Sequence, residues 1–502
     1  MALFAVVGIG LAAYLAILSV YRLCFHPLSH IPGPRLAAIT HAYEFYFNVI
    51  KGGVFIWEIK RLHDIYGPIV RINPREVHIL DSDYFDEIYA STAQKRNKDP
   101  VLMAKFGLEG AGVSTIDADL HRMRRAPVDK FFSKRVIENS EFLIRSQIDK
   151  LVFYLQEAWK AHSVVSLDDG FAALTSDIIY QYVYDHNPGS LDKPGFNAHV
   201  RSAINGLMRL SHLLYFFPWL QNVLSVVPLE TLEKLNPAAY ALESEKKDLH
   251  RRGIEALSKA HLPKDQKADN LINALVSDTL PDHMRTPERL MNEGFALVSA
   301  GTETTARSLA IASWHIYSRK EIRHKLREEL KTIMPTPDSR PTWNQLEKLP
   351  YLSGVVNESL RLSTGIANRS ARVAPTDVLT YKGYILPPGT VMSQIHHFIL
   401  MDPEIYPNPE KFDPDRWARA AAKGFRLDKY LVQFGRGSRM CVGLNLAYAE
   451  LFLVIATLVR RFDMEIYETP KARIEFARDF GTPWPEEGGL SVRATVSSVV
   501  TE

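Results

Sequence analysis

Residues 2–20 read ALFAVVGIGLAAYLAILSV, nineteen positions without one charged side chain. At a helical rise of 1.5 Å, such a run nearly spans a hydrocarbon core of roughly 30 Å. It predicts a membrane-crossing helix. The first positive charges, Arg22 and Arg35, follow the run, which puts the rest of the chain on the cytoplasmic side. A cleaved signal peptide would carry a basic start, a shorter apolar core and a small-residue cleavage site. Arg22, Leu23, Cys24 and Phe25 offer no such site. Next comes HPLSHIPGPRL, where Pro27, Pro32 and Pro34 fix φ and stiffen the chain into a spacer between membrane and body. The expected division is an anchor over 1–25, a proline-rich hinge over 26–40 and a globular body over 41–502.

Composition bounds that body. Of 502 residues, 46% are hydrophobic and 23% charged, enough for a sizeable soluble core. The net charge of +3 is too small to argue for nucleic acid. Two cysteines cannot build a disulfide framework. No low-complexity linker, heptad or fixed-period repeat interrupts the body, so one large domain is expected. Short strands are expected over 67–80, a hairpin about Asn73-Pro74, over 378–395 about Lys382-Gly383 and Pro387 to Gly389, and over 490–500. Helical periodicity dominates elsewhere, as over 141–162, 287–319, 343–363 and 443–461. The fold class is mainly α, a large helical domain with small β-sheets at its edge.

Cys441 sits in FGRGSRMCVG, residues 434–443. A cysteine that is only a small buried hydrophobe does not need that setting. Glycine permits tight turns and close backbone approach, and nearby arginines favour thiolate over thiol. Cys441 therefore reads as a ligand or a nucleophile. A second unusual stretch is SAGTETTARS, within a long helical segment. Ala300 and Gly301 strip bulk from one face, and Glu303 and Thr304 put an acid and a hydroxyl among apolar neighbours. Glu358 and Arg361 in NESLRL share a helix face, and Arg416 closes the loop NPEKFDPDRW.

In order, the chain holds A-G-x-E-T-T at 300–305, E-x-x-R at 358–361, F-D-P-D-R-W at 412–417 and F-x-x-G-x-R-x-C-x-G at 434–443. This set resembles the cytochrome P450 superfamily of haem-thiolate monooxygenases, and the anchor with its hinge is similar to the microsomal type. The resemblance implies the cytochrome P450 fold and a haem b whose iron takes Cys441 as axial ligand, the thiolate favouring O–O cleavage. It implies that Gly437 and Gly443 admit the backbone close to sulfur and porphyrin, that Phe434 packs on the thiolate side, and that Arg439 meets a propionate. His121 and Arg125, in HRMRR, match an early-helix W-x-x-x-R pattern with histidine in place of tryptophan. Arg372 matches a further propionate-contacting arginine. Glu303 and Thr304 match the acid–alcohol pair that delivers protons to O2. Glu358, Arg361 and Arg416 match a structural ion-pair triad.

HPLSHIPGPRLAAIT, HRMRRAPVDKFFSK and VNESLRLSTGIANRSARVAP are similar to filamentous-fungal biosynthetic members, notably the trichodiene oxygenase-like group. That resemblance implies a terpenoid or other secondary-metabolite substrate, apolar and small. It also implies residence in the endoplasmic reticulum membrane, single-pass with a cytosolic catalytic domain. Electrons are expected from NADPH through a separate NADPH–cytochrome P450 reductase, with cytochrome b5 as a second donor, because the chain has no flavin or nicotinamide glycine fingerprint. Substrate contacts are expected from 105–115, 204–220, 295–300 and 365–368. The aromatic run 213–219 is expected to form a lid against membrane lipid. Two other readings keep the haem: a non-oxygenase enzyme (isomerase, dehydratase or peroxide-using) and a non-catalytic membrane-tethered binder. The intact Glu303-Thr304 pair argues against both.

Overall fold

The computed structural model describes residues 1–220, 227–261, 270–276 and 281–501. The principal helices are α1 (Ala2–Val20), α2 (Ala118–Phe131), α3 (Glu141–Lys160), α4 (Leu167–Tyr184), α5 (Ala198–Met208), α6 (Ser211–Phe216), α7 (Pro237–Ser258), α8 (Pro287–Tyr317), α9 (Pro350–Ser363) and α10 (Leu444–Arg461). The described strands are β1 (Ile69–Arg71), β2 (Glu76–Ile79), β3 (Asn97–Lys98), β4 (Val164–Ser166), β5 (Arg372–Val373), β6 (Leu379–Tyr381), β7 (Tyr384–Leu386), β8 (Val391–Ser393), β9 (Phe462–Ile466), β10 (Arg478–Asp479), β11 (Pro483–Trp484) and β12 (Arg493–Val499).

Helix α1 runs on as a π-helical turn to Phe25, and the stretch reaches a mean hydropathy of 2.4 with no residue of it buried. It is long and apolar enough to cross a membrane. The segment after it is not the free-standing spacer expected from its prolines. Leu28 and Ile31 are buried in a cluster with Ile69, Val77 and Ile79. The Arg71 guanidinium donates to the carbonyls of Arg22 and Pro74, both at 2.8 Å, and the Arg71 N–H donates to Pro32 O. Apolar burial and a set of backbone acceptors dock the hinge on the body.

The hairpin about Asn73-Pro74 forms as expected, with Ile69 opposite Ile79. It opens a five-stranded sheet in the order β1-β2-β8-β5-β3, in which β2 and β8 run parallel. The turn between β6 and β7 holds Lys382 and Gly383 at positive φ, and β12 is the central strand between β4 and β9. The expected helix over 343–363 is interrupted. A short turn ends at Leu346 and α9 starts with Pro350, where a missing N–H is harmless. The Glu329 carboxylate caps that start, accepting the N–H groups of Tyr351 and Leu352 at 2.8 and 2.7 Å.

Helix α8 is the axis of the body. Leu309, Ala310, Ile311 and Ala312 are fully buried against the neighbouring helices α4, α9 and α10. Its Gly301 is explained by packing. A Cβ there would lie 2.9 Å from Cγ1 of Ile179 on α4. The missing side chain at 301 therefore serves close helix approach, and Ala300, one residue back, is the accessible position.

Candidate active site

The loop 434–443 turns back on itself, and the Cys441 N–H donates to Phe434 O at 2.8 Å. The Phe434 ring lies 5.5 Å from that of Tyr448 on α10, so α10 buttresses the loop. Gly437 has φ +66°, and a Cβ there would lie 2.0 Å from Ala90 O and 2.3 Å from Tyr89 O. Glycine is needed at 437 because another stretch of backbone passes there. Gly443 keeps a modest role: a Cβ would sit an ordinary 4.0 Å from Cys441 Sγ, while its N–H bonds the sulfur.

The arginines of the loop do not activate the thiol as expected. Arg436 pairs with Asp86 at 3.1 Å, and Arg439 donates to the carbonyls of Thr115, Ile116 and Asp117. Burial pushes the Cys441 thiol up, against smaller effects of the Gly443 N–H and Arg125. A thiolate here needs a metal ion as its partner.

Beside the loop lies a corner of positive charge. β3 pairs with β5 so that Lys98 stands opposite Arg372, two cations across one ladder. Burial first, then Arg372, Arg439 and Arg125, holds Lys98 well below the usual lysine range. Burial and Arg372 push Arg439 down to about 9, and its buried Nε has no partner among the described residues. Arg372 lies over the Tyr89 ring and donates to Ala371 O. Arg125, on α2, is paired with Asp129. One turn before it, His121 is buried and lowered to about 3, by burial and then by the same four cations. It is therefore neutral at physiological pH.

On α8, the Thr304 hydroxyl donates to Ala300 O at 2.8 Å. Glu303 is taken up by a residue the sequence did not single out. Arg201, on α5, donates from Nη2 to Oε1 at 2.8 Å and from Nε to Oε2 at 3.0 Å. Its Nη1 donates to Asp168 at 2.6 Å and Asp169 at 2.8 Å. Cys441 and Ala300 are accessible, as are Val113, Ile116 and Ile366, although the elements that carry them belong to the body. Those elements are bonded to one another, by Arg439 to Ile116 and by the Gly112 N–H to Glu293 of α8. Within the expected contact stretch 204–220, the side chains of Ile204 and Leu207 lie outside the described residues.

Glu358, Arg361 and Arg416 meet in one buried cluster. Arg361 donates from Nε and Nη2 to the two oxygens of Glu358 at 2.8 and 2.9 Å, and Arg416 Nε is 3.2 Å from Oε1. Glu358 and Arg361 are completely buried.

Residues 41–487 match the Cytochrome P450 family. The chain belongs to that family. It is 42% identical over 495 residues to the cytochrome P450 monooxygenase aflU of Aspergillus parasiticus, covering 98% of each chain. It is 42% identical over 492 residues to the conidiogenone synthase of Penicillium rubens, covering 98% of this chain and 99% of the relative. It is 41% identical over 481 residues to the cytochrome P450 monooxygenase TRI4 of Trichoderma arundinaceum, covering 95% and 93%.

The family carries haem iron, and the residues fit that group. The Cys441 sulfur is accessible, the buried Nε of Arg439 has no partner among the described residues, and the mutually repelling Lys98, Arg125, Arg372 and Arg439 are cations that haem propionates would neutralise. Lys98 and Arg201 extend the expected set. Neither carries a local signal, because Lys98 reaches the corner through strand pairing with Arg372 and Arg201 reaches Glu303 from another helix.

Proposed function

We propose that this cytochrome P450 is a membrane-anchored monooxygenase that inserts one atom of O2 into an apolar small molecule of fungal secondary metabolism, terpenoid or related. The observation that carries the reading is the accessible Cys441 next to a cationic corner, with Arg125 acting on both Cys441 and Lys98. The names of the relatives support monooxygenation, and the resemblance to the trichodiene oxygenase-like group supports the substrate class.

Cys441 would ligate the iron, with the Gly443 N–H moderating the basicity of its sulfur. Arg439, Arg372 and Arg125 would bind the propionates by charge-assisted hydrogen bonds, and neutral His121 would add one N–H. When bound, the haem supplies O2 activation and the oxidising power, with its thiolate ligand favouring O–O cleavage. Phe434 and Tyr448 keep water from the loop. The Thr304 hydroxyl would hold a water or proton at the cleft, and Glu303 would exchange protons with water behind it. Glu358, Arg361 and Arg416 would hold the fold around the site.

Electrons would come from NADPH through a separate reductase, with cytochrome b5 as a second donor. Residues 1–25 would anchor the protein in the endoplasmic reticulum, with 26–40 as hinge and 41–502 as a cytosolic catalytic domain. Cys441→Ser tests the reading. The reduced carbon-monoxide complex should lose the long-wavelength Soret band of a thiolate haem, and oxygen from labelled O2 should no longer enter product. An unaltered band would remove Cys441 as ligand.

A further inference from the structure

Arg307 lies on α8 one turn beyond Thr304, and only 2% of it is exposed. Two backbone carbonyls hold its guanidinium: Nε donates to Ser363 O at 3.1 Å and Nη2 to Ile474 O at 3.3 Å. It forms no ion pair among the described residues. Its third nitrogen, Nη1, has no hydrogen bond among them either, yet it is not one of the sealed orphan atoms of the interior. Arg460 provides the contrast. That guanidinium is also held by two carbonyls, Met334 O at 3.0 Å and Pro335 O at 3.2 Å, but its free Nη1 is shut away from any accessible space. A buried guanidinium whose unbonded nitrogen keeps access faces a space that a ligand atom can enter.

The carbonyls that hold Arg307 locate that space. Ser363 ends α9, and its hydroxyl bonds that of Ser308, the next residue of α8, at 2.9 Å. Beyond it the chain turns through Thr364 at φ +65° and Gly365 at φ +68° into the stretch 365–368, where Ile366 is exposed. Arg307 is thus one carbonyl bond from an expected substrate stretch and, at about 4.5 Å of helical rise, one turn from Thr304. Burial pulls Arg307 down to about 10 against the attraction of Glu303, so it is a cation at neutral pH. Arg201 and Arg307 share this corner with Glu303, Asp168 and Asp169, two cations among three carboxylates. A further anion would be repelled there, whereas a neutral oxygen acceptor is not.

We infer that Arg307 is a specificity-determining residue whose Nη1 donates to a carbonyl or hydroxyl oxygen of the substrate, so that the enzyme takes a terpenoid scaffold already bearing oxygen. The inference rests on the proposed reading of Cys441 and Thr304 as the reaction site. With its oxygen held by Arg307, the scaffold presents to Thr304 a carbon set by its distance from that oxygen. A bare hydrocarbon leaves the guanidinium nitrogen unpaired. An earlier oxygenation must therefore supply the substrate, and the reaction here adds a second oxygen at a set distance from the first.

The full-length, haem-loaded protein in phosphatidylcholine vesicles is titrated with valencene, a sesquiterpene hydrocarbon, and with nootkatone, the ketone of the same skeleton, each followed by the Soret shift. After correction for lipid partition, wild type should bind nootkatone about tenfold more tightly, the scale of one hydrogen bond from a charged donor. Arg307→Met should abolish that preference. Arg307→Lys keeps a cation for the carbonyls of Ser363 and Ile474 but lacks the free nitrogen, so it should fold and show the same loss. The carbonyl stretch of nootkatone bound to wild type should move to lower frequency in infrared difference spectra, a readout that needs neither variant nor turnover. A wild type without preference for nootkatone, a preference kept in a haem-replete Arg307→Met or Arg307→Lys, or an unmoved carbonyl stretch overturns the inference. Entry of labelled O2 into product is scored separately. No entry, with the ketone preference still dependent on Arg307, counts against the monooxygenase reading and leaves the binding site. Entry without any such preference removes the role of Arg307 and leaves the monooxygenase.

Discussion

Glu358→Gln keeps the shape of a side chain and removes one charge from the best-enclosed ion cluster of the molecule. The two carboxylate oxygens accept from Arg361 Nε and Nη2, from the Asp413 N–H at 2.8 Å and from Trp417 Nε1 at 3.2 Å, with Arg416 Nε also 3.2 Å away. Every neighbour is a donor, so a carboxamide NH2 placed there meets N–H groups head-on. Removing one partner of a buried pair costs about 3–5 kcal/mol. The two arginines keep other acceptors: Leu400 O and Lys411 O for Arg361, and Pro407 O, Asn408 O and Lys411 O for Arg416. That retained solvation puts the loss near the lower end, about 3 kcal/mol. With the usual unfolding entropy per residue, a body of this size should melt about 3 °C lower. The assay is a circular-dichroism melt of the full-length protein, paired with the rate of haem loss at a fixed temperature, which should rise. Glu347→Gln is the control, because its exposed pair with Lys134 is worth at most about 1 kcal/mol. A Glu358→Gln protein that melts with the Glu347→Gln control would refute the reasoning.

Thr304→Ala removes a hydroxyl whose hydrogen bond goes to its own helix, at Ala300 O. The fold should stand while product per NADPH falls at least about tenfold and peroxide rises; wild-type coupling would count against the proton relay. Gly437→Ala puts a methyl 2.0 Å from Ala90 O at φ +66°, and should cost on the order of 3 kcal/mol and the thiolate-haem band. Gly383→Ala, at φ +87° but with nothing within 4 Å, isolates the backbone share. Acid should destabilise the protein from about pH 6.5 downward. His121, His396 and His397 are lowered to about 3 by burial, so the unfolded chain binds protons there that the folded chain refuses. Each withholds about 2 kcal/mol at pH 5, and His397→Gln should reduce the difference between urea midpoints at pH 7.5 and pH 5; an undiminished difference would show that His397 does not contribute.

What the sequence discloses is what local chemistry settles. Asn73-Pro74 and Lys382-Gly383 announce their hairpins because those residues set φ themselves. The apolar run at the start and the glycine loop about Cys441 are equally self-contained. The misreadings share one cause. Gly301 reads as a bare helix face, yet a Cβ there would meet Ile179 of a neighbouring helix, and Gly437 also answers to a distant segment, the backbone of Ala90. The loop arginines look like activators of Cys441, yet Arg436 and Arg439 turn to Asp86 and to the carbonyls of 115–117. Lys98 carries no local signal, because only strand pairing sets it against Arg372. The break before Pro350 is different in kind. Its signal was local, since proline belongs in the first turn of a helix, and a continuous 343–363 overlooks it.

The docked segment 26–40 ties the apolar helix α1 to the body. Because Arg71 binds the carbonyls of both Arg22 and Pro74, the end of α1 and the first hairpin of the sheet move as one piece. The segment that follows carries Phe45, whose ring touches Phe216 and Phe217. Leu36, Tyr46, Ile50, Phe217 and Trp219 remain exposed along the same stretches. Scattered over a surface, such residues would mean little. Here they lie on segments tied by contact to the base of an apolar helix, where lipid would cover them. An anchor rigidly joined to the body holds the aromatic run at a fixed depth, which suits an apolar substrate that partitions into lipid before it reaches Thr304. A flexible spacer would impose no such depth, and the buried Leu28, Ile31 and Arg71 are what exclude it.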